Sequence, residues 1–306
     1  MFIKKQIVIL GSNQAILTDL ITNLLEQNYT ISIVIEDSES CLFIKDTLNR
    51  ISYFNIHDTK IKDILNKADV IINTFFMISP SSIKKIKKNL SFYKNILKLI
   101  ECETKVIDIL PLLNDDRVRS FYKDIKKYEK YAEQNFNNHL TLYTPLIFSQ
   151  QDSLIQDIEE LYKISNKIFR YKENFSYIDK NSLIEAILNL IENNTYQKAD
   201  FEIGSYKSTN IDYINDNVII DTKQLHEISS ISWWKLSLLS FLYKKEMPSF
   251  KRKYLYFIKA CRKTSRSALN LETLNIKKHS LLFILNKYKD NNQKPSYEDL
   301  EEYEMY

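Results

Sequence analysis

The chain has 306 residues, 44% of them hydrophobic, and a formal net charge of +4. That is enough apolar material for a substantial buried core, and too small a charge excess to argue by itself for a nucleic-acid partner. Three scattered cysteines (Cys41, Cys102, Cys261) and four scattered histidines (His57, His139, His226, His279) argue against a metal site and a disulfide framework; they fit inert thiols in a reducing compartment such as the cytoplasm.

Up to Pro145, short apolar runs alternate with amphipathic segments, the pattern of a parallel sheet covered by helices. The chain opens on a strand pattern with no signal-peptide core ahead of it. Strands are expected at Lys5–Leu10, Thr30–Ile35, Ile51–Ile56, Asp69–Thr74, Lys105–Ile109 and Leu140–Tyr143. Helices are expected at Gln14–Gln27, Lys60–Lys67, Ser81–Cys102 and Arg117–Phe136. In the first of them Ile16, Leu17, Leu20, Ile21, Leu24 and Leu25 recur at helical spacing. Asp58-Thr59 supplies an N-cap for the second. Six strands with five crossovers make an α/β fold, a doubly wound parallel sheet, in a first domain over residues 1–150.

Residues 151–306 read as a smaller mixed α/β region that binds substrate or a partner. Helices are expected at Ile155–Lys167, Lys180–Ile191 and Ser230–Lys245, with strands near Lys198–Ile203 and Asn217–Ile220. Phe250–Thr264 is a basic aromatic helix or arm, and the acidic end from Tyr297 is loosely ordered. The longest apolar stretch, Ile228–Tyr243 around Trp233 and Trp234, is interrupted by Lys235 and too short to span a bilayer.

Glycine is reduced to Gly11 and Gly204. In a chain so poor in glycine, each survivor marks a backbone position that no side chain fits. Gly11 closes the first strand and opens the turn Gly11-Ser12-Asn13-Gln14, where backbone N–H groups and a helix N-terminus can face a pyrophosphate. A plain strand–helix turn is the competing reading. Glu36, at the end of the second strand, is placed to accept the ribose hydroxyls of NAD and to repel the 2′-phosphate of NADP; with Asp37 it also fits a solvated helix start. Asn55 and Asp58 stand where an adenine edge would lie, or cap the next helix. Thr74 and Pro145 close the fourth and sixth strands at the same end of the sheet.

Tyr122 and Lys126 lie four apart on one helical face, so the lysine cation can lower the phenol pKa and hold a ribose. With 20 tyrosines in a lysine-rich chain this spacing also arises by chance.

Taken together, Ile7-Val-Ile-Leu-Gly-Ser-Asn13, Ile56-His-Asp58, Leu65-Asn-Lys-Ala-Asp-Val-Ile-Ile-Asn73, Tyr122 with Lys126, and Thr141-Leu-Tyr-Thr-Pro-Leu-Ile-Phe148 resemble the atypical and extended branches of the short-chain dehydrogenase/reductase superfamily. Phe175-Ser-Tyr-Ile-Asp179 and Phe201-Glu-Ile-Gly204 extend the resemblance to about residue 205. It implies a Rossmann fold, NAD or NADP as cofactor, Tyr122 as general acid/base and Lys126 as its partner, counted back from Pro145. The departures imply a degenerate member. Gln14 and Leu17 replace the later glycines of the turn, Thr144 replaces an arginine, and Ile107-Asp-Ile-Leu-Pro-Leu112 carries no hydroxyl where the family has a catalytic Ser or Thr. Loss of that donor costs on the order of a hundredfold or more in rate.

Three functions follow. One is a dinucleotide-fold scaffold or NAD(P)-binding subunit with weak or no catalysis, a pseudoenzyme like the accessory subunit of respiratory complex I that the resemblance includes. Another is an active NAD-dependent oxidoreductase or nucleotide-sugar epimerase using Tyr122 and Lys126. The last is phosphate or nucleic-acid binding through 244–263, where Lys251-Arg-Lys-Tyr-Leu-Tyr-Phe257 interleaves cations with aromatics. For the wider segment 228–263, a protein partner or an anionic membrane surface is favoured over nucleic acid.

Overall fold

A computed structural model of the chain describes residues 5–11, 14–35, 51–75, 95–113, 119–148, 155, 167–169, 174–205, 208–218, 229–231, 264–265, 268–277 and 279–292. The architecture is α/β. Strands β1 (Gln6–Leu10), β2 (Thr30–Ile35), β3 (Ile51–Asn55), β4 (Val70–Asn73), β5 (Lys105–Pro111) and β6 (His139–Thr144) fall where the apolar runs put them. They form one parallel sheet with a seventh strand, β10 (Lys198–Glu202), in the order β10-β6-β5-β4-β1-β2-β3. The edge strand comes from the second half of the chain and pairs with β6, Phe201 opposite Leu142. Strand order reverses between β1 and β4, which are neighbours in register from Ile7↔Val70 to Leu10↔Asn73. In open α/β sheets that reversal opens a crevice beyond the carboxyl ends of the strands, where ligands bind.

Helices α1 (Gln14–Glu26), α2 (Ile61–Asn66), α3 (Arg119–Asn135) and α4 (Lys180–Glu192) cover the sheet. Because side chains alternate along a strand, each strand feeds two cores. One packs Ile7, Ile9, Ile33, Ile72, Ile107 and Leu142 against Leu17, Leu20 and Leu24 of α1 and Leu183, Ile187 and Leu190 of α4. The other packs Val8, Leu10, Ile71, Val106 and Leu110 against Ile125, Tyr128 and Ala132 of α3. Asp179 caps α4 by accepting the Ser182 N–H at 2.9 Å. At its far end Lys105 Nζ reaches the carbonyls of Leu190 at 3.1 Å and Asn193 at 3.0 Å, satisfying orphan acceptors of the last turn.

Beyond the sheet, β7 (Leu146–Phe148) pairs with β9 (Tyr177–Asp179), and β8 (Lys167–Phe169) with β11 (Ser229–Ile231). Helices α5 (Ile211–Val218) and α6 (Leu281–Asn292) complete the described elements.

Five local expectations change. Asn217 belongs to α5, where Ile211 and Ile214 bury a helical face that overrides the strand pattern expected from Asn217 on. Ser230 and Ile231 are strand, paired with Ile168 and Phe169, so the helix expected from Ser230 does not begin there; Lys167 likewise opens a strand instead of closing a helix. Of the helix expected at Ser81–Cys102, only a turn at 95–97 lies in helix among the described residues, and Cys102 is exposed. The N-cap of α2 is Lys60, without a side-chain cap bond; Asp58 Oδ1 instead accepts the Lys60 N–H at 2.9 Å in the turn before it. The basic aromatic arm up to residue 263 and the acidic end lie outside the described residues. No helix among the described residues is long and apolar enough to cross a membrane.

Candidate functional site

The crevice at the β1/β4 switch point is bounded by the residues that follow those strands. Gly11 has φ +120°, a conformation L side chains avoid, and a Cβ there would lie 2.4 Å from Thr74 Oγ1. Both facts explain why this glycine survives. Its N–H is bonded to the Val34 carbonyl at 2.9 Å, tying the turn to β2. Thr74, buried, donates its hydroxyl to the Leu10 carbonyl at 2.9 Å and so seals the ends of β1 and β4 together. Helix α1 starts at Gln14, directing its N-terminus to the same end of the sheet. Leu17 is buried in the core between α1 and the sheet.

Of the other residues expected at a cofactor, Asn55 ends β3 and Asp58 sits past it, with their oxygens turned to local backbone. Asn55 Oδ1 accepts the His57 N–H at 2.9 Å, and Asp58 Oδ1 serves Lys60 as described. Pro145 follows β6 and is buried; Gly204 is its neighbour, and a Cβ on Gly204 would stand 2.8 Å from Pro145 Cγ and 2.7 Å from Thr264 Cγ2. That glycine is kept by close approach, not by its backbone angle. Ser12, Asn13 and Glu36 lie outside the described residues, as do the side chains of Gln14 and Tyr122.

Tyr122 and Lys126 are both on α3, as their spacing requires. Lys126, however, is engaged elsewhere. Its Nζ lies 2.7 Å from Glu129 Oε2, donates to the Tyr143 hydroxyl at 3.2 Å, and stands 5.3 Å from the centre of the Tyr143 ring. Tyr143 in turn donates its hydroxyl to Glu129 Oε1. Burial pushes the Glu129 carboxyl above its usual range, and the bonds from Lys126 and Tyr143 oppose that rise. The ammonium therefore balances a buried acid, which weakens the field it can offer a phenol or a ribose.

Beneath this cluster, on the same face of the sheet, lies a polar group that the motif search passed over. Asp108 is fully buried in the middle of β5. Its Oδ1 accepts the Tyr128 hydroxyl at 2.7 Å and the Asn73 amide at 2.8 Å, and its Oδ2 meets His139 Nε2 at 2.6 Å. Asn73 Nδ2 also donates to the Tyr128 hydroxyl at 2.7 Å. Burial works against the imidazolium, but the bond and the charge of Asp108 prevail, and the His139 pKa is raised. Burial, then the charge of Asp108, holds the Tyr128 phenol well above its ordinary value. The signal was present in the sequence as a carboxylate inside the apolar run Val106–Leu110, since such a group enters a core only with partners. At the end of β5, Leu110, Pro111 and Leu112 carry no hydroxyl, and all three are buried.

Solved structures that share this fold include a reductase and epimerases. Over 92% of this chain and 99% of its own, the triphenylmethane reductase of Citrobacter sp., crystallised with NADP(H), superposes with a TM-score of 0.68 at 10% identity. A nucleoside-diphosphate-sugar epimerase from Staphylococcus aureus gives 0.66 at 14% identity over 92% of this chain and 99% of that one. The chain has the fold of these reductases and epimerases. The UDP-glucose 4-epimerase of Thermotoga maritima, solved with UDP-glucose, gives 0.61 at 12% identity, covering 94% of this chain and 100% of its own.

No family model matches the sequence. One curated protein similar in sequence is the guanylate kinase of Wigglesworthia glossinidia brevipalpis, 24% identical over 133 residues that take in 39% of this chain and 63% of the kinase. A Walker-type phosphate loop needs two glycines within one short turn. Here the two glycines are residues 11 and 204.

Proposed function

We propose that this protein is a dinucleotide-fold scaffold that holds NAD(P) in the crevice above Gly11, with weak or no turnover of its own. The observation that carries the reading is the engagement of Lys126 by buried Glu129 and by Tyr143. The end of β5 points the same way, because among the described residues Leu110, Pro111 and Leu112 carry no hydroxyl to meet a developing oxyanion. Binding is supported by the Gly11 turn at the switch point, the start of α1 beside it, and the nucleotides held by the structural neighbours. Glu36 makes NAD the favoured form. A scaffold acts through a partner, and the segment 228–263 is its proposed contact.

Calorimetric titration with NADH and NADPH, followed by single-turnover absorbance of bound NADH against a panel of ketones and nucleotide sugars, tests this. The expected result is saturable NADH binding that weakens in Glu36→Ala, with no oxidation of the bound cofactor. Absence of binding by either nucleotide overturns the cofactor reading. Oxidation that is lost in Tyr122→Phe overturns the scaffold reading in favour of an active oxidoreductase.

A further inference from the structure

The turn after β4 joins the buried polar group to the crevice. Asn73 uses its side-chain amide at both ends: the nitrogen donates to Asp108 and Tyr128, and the oxygen accepts the Phe75 N–H at 3.1 Å. The amide is thereby oriented, and with it the backbone of the turn. The turn so held leans on Gly11. From the point that a Cβ on residue 11 would occupy, Phe75 N is 3.2 Å away and Phe75 Cδ1 3.3 Å. The ring, half-buried, packs against the core beneath α3. An aromatic edge therefore stands beside the turn that closes β1, on the β4 side of the crevice.

We propose that Phe75 restricts the entry of a dinucleotide at Gly11, and that Asn73 is the positioning residue that keeps Phe75 in place. This rests on the reading of the crevice as a dinucleotide site. A diphosphate bridge lying across the β1 turn has to displace the ring, and displacing it strains the bond between the Phe75 N–H and Asn73. The restriction comes from the β4 side of the crevice, opposite the Gln14 substitution in the β1 turn. The residue that weakens the site is then separable from the fold that forms it, because the ring lies at the edge of the core.

The test is titration of NADH into the 306-residue chain and into Phe75→Ala, Phe75→Leu, Asn73→Ala and the double variant Asn73→Ala/Phe75→Ala, with thermal unfolding followed in parallel. Removing the ring should tighten NADH binding by about tenfold, as relief of a crowded contact does. Phe75→Leu, which keeps apolar contact with the core, should tighten it less and answers the question should the alanine variant fail to fold. Asn73→Ala should also tighten binding, but not in the Phe75→Ala background, since there is no ring left to position. A purely structural Asn73 would lower the unfolding temperature without that dependence. Unchanged or weakened NADH affinity in folded Phe75 variants overturns the proposal and leaves the dinucleotide reading standing. If neither the wild type nor any variant binds NADH, the dinucleotide reading itself falls.

Discussion

The two faces of the central sheet are built from the same strands and differ in kind. The face under α1 and α4 is apolar over its centre, with Ile7, Ile9, Ile33, Ile72 and Leu142 meeting leucines and isoleucines of the two helices, and Lys105 reaches the last carbonyls of α4 at its end. The face under α3 carries Asp108, His139, Tyr128 and Asn73 in one bonded group, with Lys126, Glu129 and Tyr143 above it. Only the second connects through Asn73 to the turn that borders the crevice. One face thus supplies non-directional stability. The other supplies directional contacts that hold particular groups in particular places.

Substitutions on the two faces should separate those roles. The largest effect is expected for Asp108→Ala, which leaves His139, Tyr128 and Asn73 without their common acceptor: about 3–5 kcal/mol of stability, together with altered NADH affinity in calorimetry. Leu20→Ala, on the apolar face, should cost about 3 kcal/mol in chemical denaturation and leave NADH affinity unchanged. Should both variants change affinity alike, the division between the faces is wrong. Gly204→Ala forces a Cβ to within 2.8 Å of the rigid Pro145 ring; about 2 kcal/mol of destabilisation is expected from such overpacking.

The smallest effect is a pH dependence. His139 has its pKa raised above the ordinary value of 6.5 by Asp108, with Asp200 and Glu133 adding to the rise. Its contribution to stability is fully present below that value and is lost as pH rises through the folded-state value. Glu129, whose carboxyl is raised by burial, also lowers stability as pH rises from 4.5. The melting temperature should therefore fall as pH is raised above 6.5, and His139→Gln should flatten that slope while Leu20→Ala preserves it.

The strands β1 to β6 and the helices α1 to α3 of the first half were legible because their signals are local. Apolar runs such as Gln6–Leu10 and Thr30–Ile35 are short, continuous and separated by helical periodicity, so type and order follow from spacing alone. The two glycines were legible as well: in so glycine-poor a chain, Gly11 stood out as a position that needs its absent side chain, and the positive φ there supplies the reason. Past Pro145 the signals thin out. Ser229–Ile231 is strand only because Lys167–Phe169 lies beside it, a pairing across some sixty residues that no window registers.

The site divides in the same way. Sequence by itself determined the alternation of strands and helices, the turn at Gly11, and the placing of Tyr122 and Lys126 on one helix, because each depends on residues a few positions apart. Tertiary structure alone decided what Lys126 touches. Its partner Tyr143 arrives from β6, and Glu129, three residues along its own helix, is sunk in the core, where burial raises its carboxyl and the contact with Lys126 opposes that rise. Likewise Asp108 reads in sequence as an oddity inside a strand. It becomes the centre of a network only when β4, β6 and α3 bring Asn73, His139 and Tyr128 within bonding distance, since a buried charge persists only where the fold delivers its partners.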